Sequence, residues 1–123
     1  MSPSESPSKV PLDLARLLVD ALEAKKADDI VLMDLTDVCS FADYFVVASG
    51  ASERTLEALA DDTVRQIKRT QASGRPAVEG SAASGWILID AGDVVVHLFS
   101  ASQRKYYRLE ELWKAGKVVV HLQ

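Results

Sequence analysis

The chain has 123 residues, 48% of them apolar and 26% charged, enough for one domain with a buried core. Its formal net charge is −4, which argues against a protein that holds nucleic acid chiefly through phosphates, because such proteins carry a basic stripe. No apolar run nears the ~20 residues that a membrane-spanning helix needs.

The first ten residues, MSPSESPSKV, are rich in Ser and Pro and carry no apolar segment behind their one Lys. They read as a disordered leader and not as a secretory signal. The domain proper is expected over residues 11–116, with a β-prone tail over 117–123. A single cysteine, Cys39, allows no internal disulfide and fits a reducing cytoplasm.

Val10, Leu14, Leu17, Leu18, Ala21 and Leu22 fall on one face of a 3.6-residue period, so residues 11–26 predict a first helix. Ile30–Leu35 reads as a strand and 36–42 as a polar turn. Tyr44–Ala48 is apolar on both faces, as expected of a central strand. Ser52 suits a helix N-cap with Glu53 in the first turn. Leu56, Leu59, Ala60, Val64 and Ile67 then mark a second amphipathic helix that runs to about Arg69. Arg65, Lys68 and Arg69 form a small basic cluster late in it, where they also suit the helix dipole. A loop over 71–76, a short strand at Pro76–Glu79 and a small-residue stretch at Gly80–Gly85 follow.

The stretch Trp86–Phe99, WILIDAGDVVVHLF, reads as a hairpin around Ala91-Gly92. A two-residue loop pairs Asp90 with Asp93, Leu88 with Val95 and Trp86 with His97. One face then carries Trp86, Leu88, Asp90, Asp93, Val95 and His97. The other carries Ile87, Ile89, Val94, Val96 and Leu98, an aliphatic floor for the two helices. The mixed face is either a partner-binding patch, since aromatics dominate hot spots, or a sheet surface in which Trp86 merely covers an edge or packs under the 80–85 loop.

Ser100 or Ser102 can cap a last helix with Tyr106, Leu109, Leu112 and Trp113 on one side, stopped by Gly116. Lys117–Leu122 is β-prone and either joins the sheet, pairs with another chain or frays. The order predicts an α/β fold: a mixed β-sheet with helices packed mainly on one face.

Signals for catalysis are sparse. One Cys and two separated His, His97 and His121, do not make a zinc site. There is no phosphate-binding glycine motif, and no metal or cofactor is expected. Gly50-Ala51-Ser52-Glu53-Arg54 lacks the last Gly of a nucleophile elbow. A strand–Gly–Ser–helix order, followed later by carboxylates on strands, suggests a metal-dependent nucleotidyltransferase as the alternative. However, the stretch after the second helix offers Glu79 where an Asp-x-Asp pair belongs, and two-metal chemistry needs clustered carboxylates.

Four ordered signatures carry a family resemblance. They are Asp43–Arg54 (DYFVVASGASER), Val78-Glu79-Gly80, Trp86–His97 with Asp90, Gly92 and Asp93, and Tyr107-x-Leu109-Glu110-x-Leu112-Trp113. Over residues 11–113 the chain resembles the ribosomal silencing factor (Iojap-like) family. Many relatives carry His after the Arg, where this chain has Thr55. The resemblance implies a nucleotidyltransferase-like fold without catalytic carboxylates, and a binding protein that is not an enzyme. The implied partner is the large ribosomal subunit, through the conserved ribosomal protein at its inter-subunit face, the fourteenth of the large-subunit series. Occupying that surface would block small-subunit joining and repress translation, with little direct RNA binding and no membrane. The partner-binding residues so implied are Trp86, Leu88, Asp90, Asp93, His97 and, second in rank, Tyr107. Some members are implied to self-associate, and pairing through residues 117–122 would make a homodimer.

Overall fold

The computed structural model describes residues 9–70, 76–107 and 116–123. The element order is α1 (Lys9–Ala24), β1 (Asp28–Asp34), β2 (Tyr44–Gly50), α2 (Glu53–Thr70), β3 (Ala77–Ser81), β4 (Trp86–Asp90), β5 (Val94–Ser100), α3 (Ala101–Tyr107) and β6 (Lys117–Leu122). The strands form one mixed sheet in the order β3-β4-β5-β2-β1-β6. Only β2 and β5 run parallel, and the chain crosses between them through α2 and the β3–β4 hairpin.

The apolar periodicity finds its partners. Leu14, Leu18 and Leu22 of α1 and Leu56, Leu59 and Ile67 of α2 pack on Val46, Ile87, Ile89, Val94, Val96 and Leu98. The aliphatic hairpin face is therefore the floor beneath both helices. All seven residues of β2 are buried, as a central strand covered on both faces requires. Ser52 caps α2: its Oγ accepts the Thr55 amide at 3.1 Å. Ser100 caps α3 in the same way, accepting the Gln103 amide at 3.3 Å.

The hairpin register differs from the expected one by two residues. Asp90 pairs with Val95, Leu88 with His97 and Trp86 with Phe99. Asp93 is drawn out of the hairpin because its carbonyl accepts the Asp43 and Tyr44 amides of the β2 entrance, at 2.8 and 3.0 Å. The turn is closed instead by the Ala91 amide donating to the Val94 carbonyl, with Gly92 at φ +91°, a conformation that favours glycine. Side chains alternate with period two, so a shift of two leaves every residue on its expected face and adds Phe99 to that of Trp86.

Lys117–Leu122 takes the first of its three readings: as β6 it pairs antiparallel with β1 at the sheet's outer end. Gly116 sits just before it, where an added Cβ would come within 2.5 Å of Leu35 Cδ2 and 3.0 Å of the Asp34 carbonyl. The expected leader over 1–8, the 71–75 loop and the signature residues Leu109, Glu110, Leu112 and Trp113 lie outside the described residues.

Candidate binding face

The β3–β4 hairpin delivers Trp86 to the outer sheet face, and two glycines make that possible. Gly80 has φ +85°, and a Cβ there would lie 2.1 Å from the Trp86 carbonyl oxygen, so only glycine lets β3 close on β4. Gly85, at φ +82°, would carry a Cβ 2.6 Å from Gln103 Cγ. Its carbonyl accepts the Ser100 amide at 2.9 Å, which ties the tip of this hairpin to the end of β5. The Val78-Glu79-Gly80 signature thus has a steric reason.

Trp86 lies flat on Phe99, with centroids 5.6 Å apart and planes 10° from parallel, and it stacks on His97 at 6.1 Å and 15°. Its indole N–H donates to His97 Nδ1 at 3.3 Å, which places the proton of the neutral imidazole on Nε2. Nε2 is buried with no hydrogen-bond partner among the described residues. His97 is also in ring contact with Phe45 at 4.6 Å and is only 6% exposed. Burial lowers its pKa to about 4, so at neutral pH it is an uncharged hydrogen-bond acceptor beside Trp86 and not a surface cation. The sequence placed it correctly on this face but did not show that it is covered.

Trp86 and Leu88 are half-buried. With Glu79 and Gly80 they line a shallow cleft of about 120 Å³. Asp90 and Asp93 stand exposed at the far end of the hairpin. One oxygen of Asp90 accepts the Gly92 amide at 2.8 Å, so this carboxylate shapes the turn and still presents its charge to solvent. Hence Trp86, Leu88 and Asp90 alternate onto one face of β4, with His97 bonded to Trp86 and Asp93 exposed in the turn beyond. Tyr107 belongs to α3, and its side chain lies outside the described residues. Phe99 and Phe45 were missed as members of the aromatic cluster. Extending the period-two alternation one step beyond His97 would have found Phe99.

A second polar site sits where β1, β2 and α3 meet, its Ser49 level with Phe99 along the strands. Buried Arg104 of α3 donates to the Asp29 carbonyl and, at 3.0 Å, to Ser49 Oγ, with its other nitrogen 3.4 Å from the Asp29 carboxylate. His121 of β6 meets the same carboxylate at 2.6 Å. Asp29 takes φ +50° at a bulge in β1. This one arginine therefore joins β1, β2 and α3, and Asp29 extends the link to β6. Replacing Arg104 by Met keeps the length and removes the donors, leaving the buried Ser49 hydroxyl without its bond. We expect a loss of about 2 kcal/mol in urea unfolding; an unchanged midpoint would mean that the cluster is dispensable.

Among the described residues no group of three or more His, Cys, Asp or Glu side chains is placed to hold a metal ion, and no helix is long and apolar enough to cross a membrane. Asp62 and Arg65 of α2 pair with each other at 3.0 Å, so the small basic cluster has one cation already engaged.

The family model described as "Ribosomal silencing factor during starvation" matches residues 7–123. The chain belongs to the ribosomal silencing factor family. It is 37% identical over 101 residues to a protein named ribosomal silencing factor from Halalkalibacterium halodurans, covering 82% of this chain and 86% of the relative. It is 35% identical over 99 residues to a mouse protein named for mitochondrial assembly of the ribosomal large subunit, covering 79% of this chain and 43% of that one. A crystal structure from Chromobacterium violaceum superposes with a TM-score of 0.77 at 34% identity, covering 89% of this chain and 92% of that chain. The α/β fold of the silencing factors is thus the fold seen here.

Proposed function

We propose that this silencing factor binds the large ribosomal subunit at its inter-subunit face and blocks joining of the small subunit by bulk alone. The observation that carries the reading is the membership of the family together with a half-exposed Trp86–Leu88 rim on a braced hairpin. Its proposed contact is the conserved ribosomal protein at that face, the fourteenth of the large-subunit series, in the cytoplasm. Trp86 supplies the apolar anchor, the kind of residue that dominates interface energies. Asp90 and Asp93 meet basic side chains and set register and encounter rate more than affinity.

Surface occupation needs no catalysis, and the features that suggest nucleotidyl transfer are otherwise engaged. The Ser49 hydroxyl at the end of β2 bonds Arg104, and Asp90 holds the Gly92 amide. Two chains that paired through β6 would leave the Trp86 rim clear, because β3 and β4 lie at the other end of the sheet.

The test is subunit joining followed by light scattering with purified subunits. Excess protein added to the large subunit first should suppress the joined-particle signal. Joining that proceeds at full extent with the protein bound would overturn the steric mechanism.

A further inference from the structure

The connection between β1 and β2 holds two apolar side chains out into solvent. Phe41 is 73% exposed, the most exposed large apolar side chain among the described residues, and Val38 is 49% exposed. The connection is not loose. Asp34 Oδ1 accepts both the amide and the hydroxyl of Thr36, at 2.9 and 2.6 Å. The Leu35 amide donates to the Asp43 carbonyl at 2.8 Å, and the Leu35 carbonyl accepts the amides of Val38 and Cys39. Leu35 and Ala42 are buried against the outer sheet face. With both ends pinned in this way, Val38 and Phe41 are presented outward by a braced segment, at a solvation cost that exposure of an aromatic ring brings.

The segment is continuous with the Trp86 rim. Phe41 contacts Phe45 with ring centroids 6.3 Å apart, Phe45 contacts His97 at 4.6 Å, and His97 contacts Trp86 at 6.1 Å. A row of rings therefore links one lip to the other, its middle members Phe45 and His97 being buried. Its carboxylates are shared too: Asp37 and Asp43 belong to the connection, and the Asp43 amide bonds the carbonyl of Asp93.

We propose that Val38 and Phe41 form the second lip of the docking face, gripping the same protein of the large subunit that Trp86 engages. The inference rests on the function proposed above. It specifies a partner surface with two apolar contacts, one for Trp86–Leu88 and one for Phe41–Val38, bordered by Lys or Arg to meet the carboxylates. Phe41 is 73% exposed and its ring contact is with Phe45, so its replacement takes little from the core and the melting temperature separates binding from folding.

The experiment measures binding to isolated large subunits for the wild type, Phe41→Ser and Trp86→Ala, with the melting temperature of each. Phe41→Ser should weaken binding about tenfold or more with an unchanged melting temperature. Wild-type binding with Phe41→Ser within about twofold of it would overturn the second lip and leave the proposed function standing. Absence of wild-type binding would overturn both. If Phe41→Ser also melts earlier, a benzophenone side chain at position 41 decides: a crosslink to a large-subunit protein supports the proposal. Crosslinks confined to ribosomal RNA or to a second copy of this chain would overturn it.

Discussion

Trp86→Ala is expected to weaken binding to the large subunit about 30-fold to 1,000-fold, the equivalent of about 2–4 kcal/mol for loss of an aromatic anchor. Among the described residues the substitution removes three things together: the half-exposed indole surface, the stack on Phe99 and His97, and the hydrogen bond to His97 Nδ1. The first acts on binding, and the other two act mainly on the hairpin. Trp86→Phe separates them, because a phenyl ring can keep the stack on Phe99 while losing the N–H donor. It should bind more tightly than Trp86→Ala and melt close to the wild type. Unchanged affinity for a folded Trp86→Ala protein would place the contact elsewhere on the molecule.

The second large effect is on stability in acid, through His97. A free imidazole titrates near 6.5, and in the folded protein burial holds this one at about 4. Above pH 6.5 both folded and unfolded chains carry it neutral, and its contribution is fully present. As pH falls below 6.5 the unfolded chain takes up a proton that the folded chain refuses, so stability drops. The loss levels off once pH passes the folded value near 4. The gap corresponds to about 3 kcal/mol at the lower end of that window. His97→Gln has no titrating group and can still accept the Trp86 N–H. Urea unfolding between pH 7 and pH 4 should therefore show a shallower decline for His97→Gln than for the wild type. Parallel slopes for the two proteins would show that His97 is solvated and titrates normally.

Both predictions depend on a face whose membership was legible in the sequence and whose depth was not. Alternation along Trp86–Leu98 sorted the hairpin side chains correctly, because a register error of two preserves parity. The register itself depended on a distant contact, the Asp93 carbonyl serving the amides of Asp43 and Tyr44, which no local pattern encodes. In the same way, periodicity put His97 beside Trp86 but could not show that Phe45 would close over it from a strand some fifty residues earlier in the sequence. Helix faces and caps were read well since they depend on neighbours within a turn or two: Ser52 and Ser100 cap as expected. Residues 36–42 read as a polar turn, and composition did not show which of its apolar side chains would be buried. Leu35 and Ala42 anchor the segment, leaving Phe41 outside. Arg104 gave no signal at all, because its partners Asp29 and Ser49 come together only when β1, β2 and α3 are assembled.

The most direct measurement is co-sedimentation of the protein with separated large and small ribosomal subunits, wild type beside Trp86→Ala. The expected result is that the wild type travels with the large subunit alone, while the folded variant remains near the top of the gradient. Wild-type protein that travels with the small subunit, or with neither, would contradict the account of this chain as a factor that occupies the large subunit through its Trp86 face.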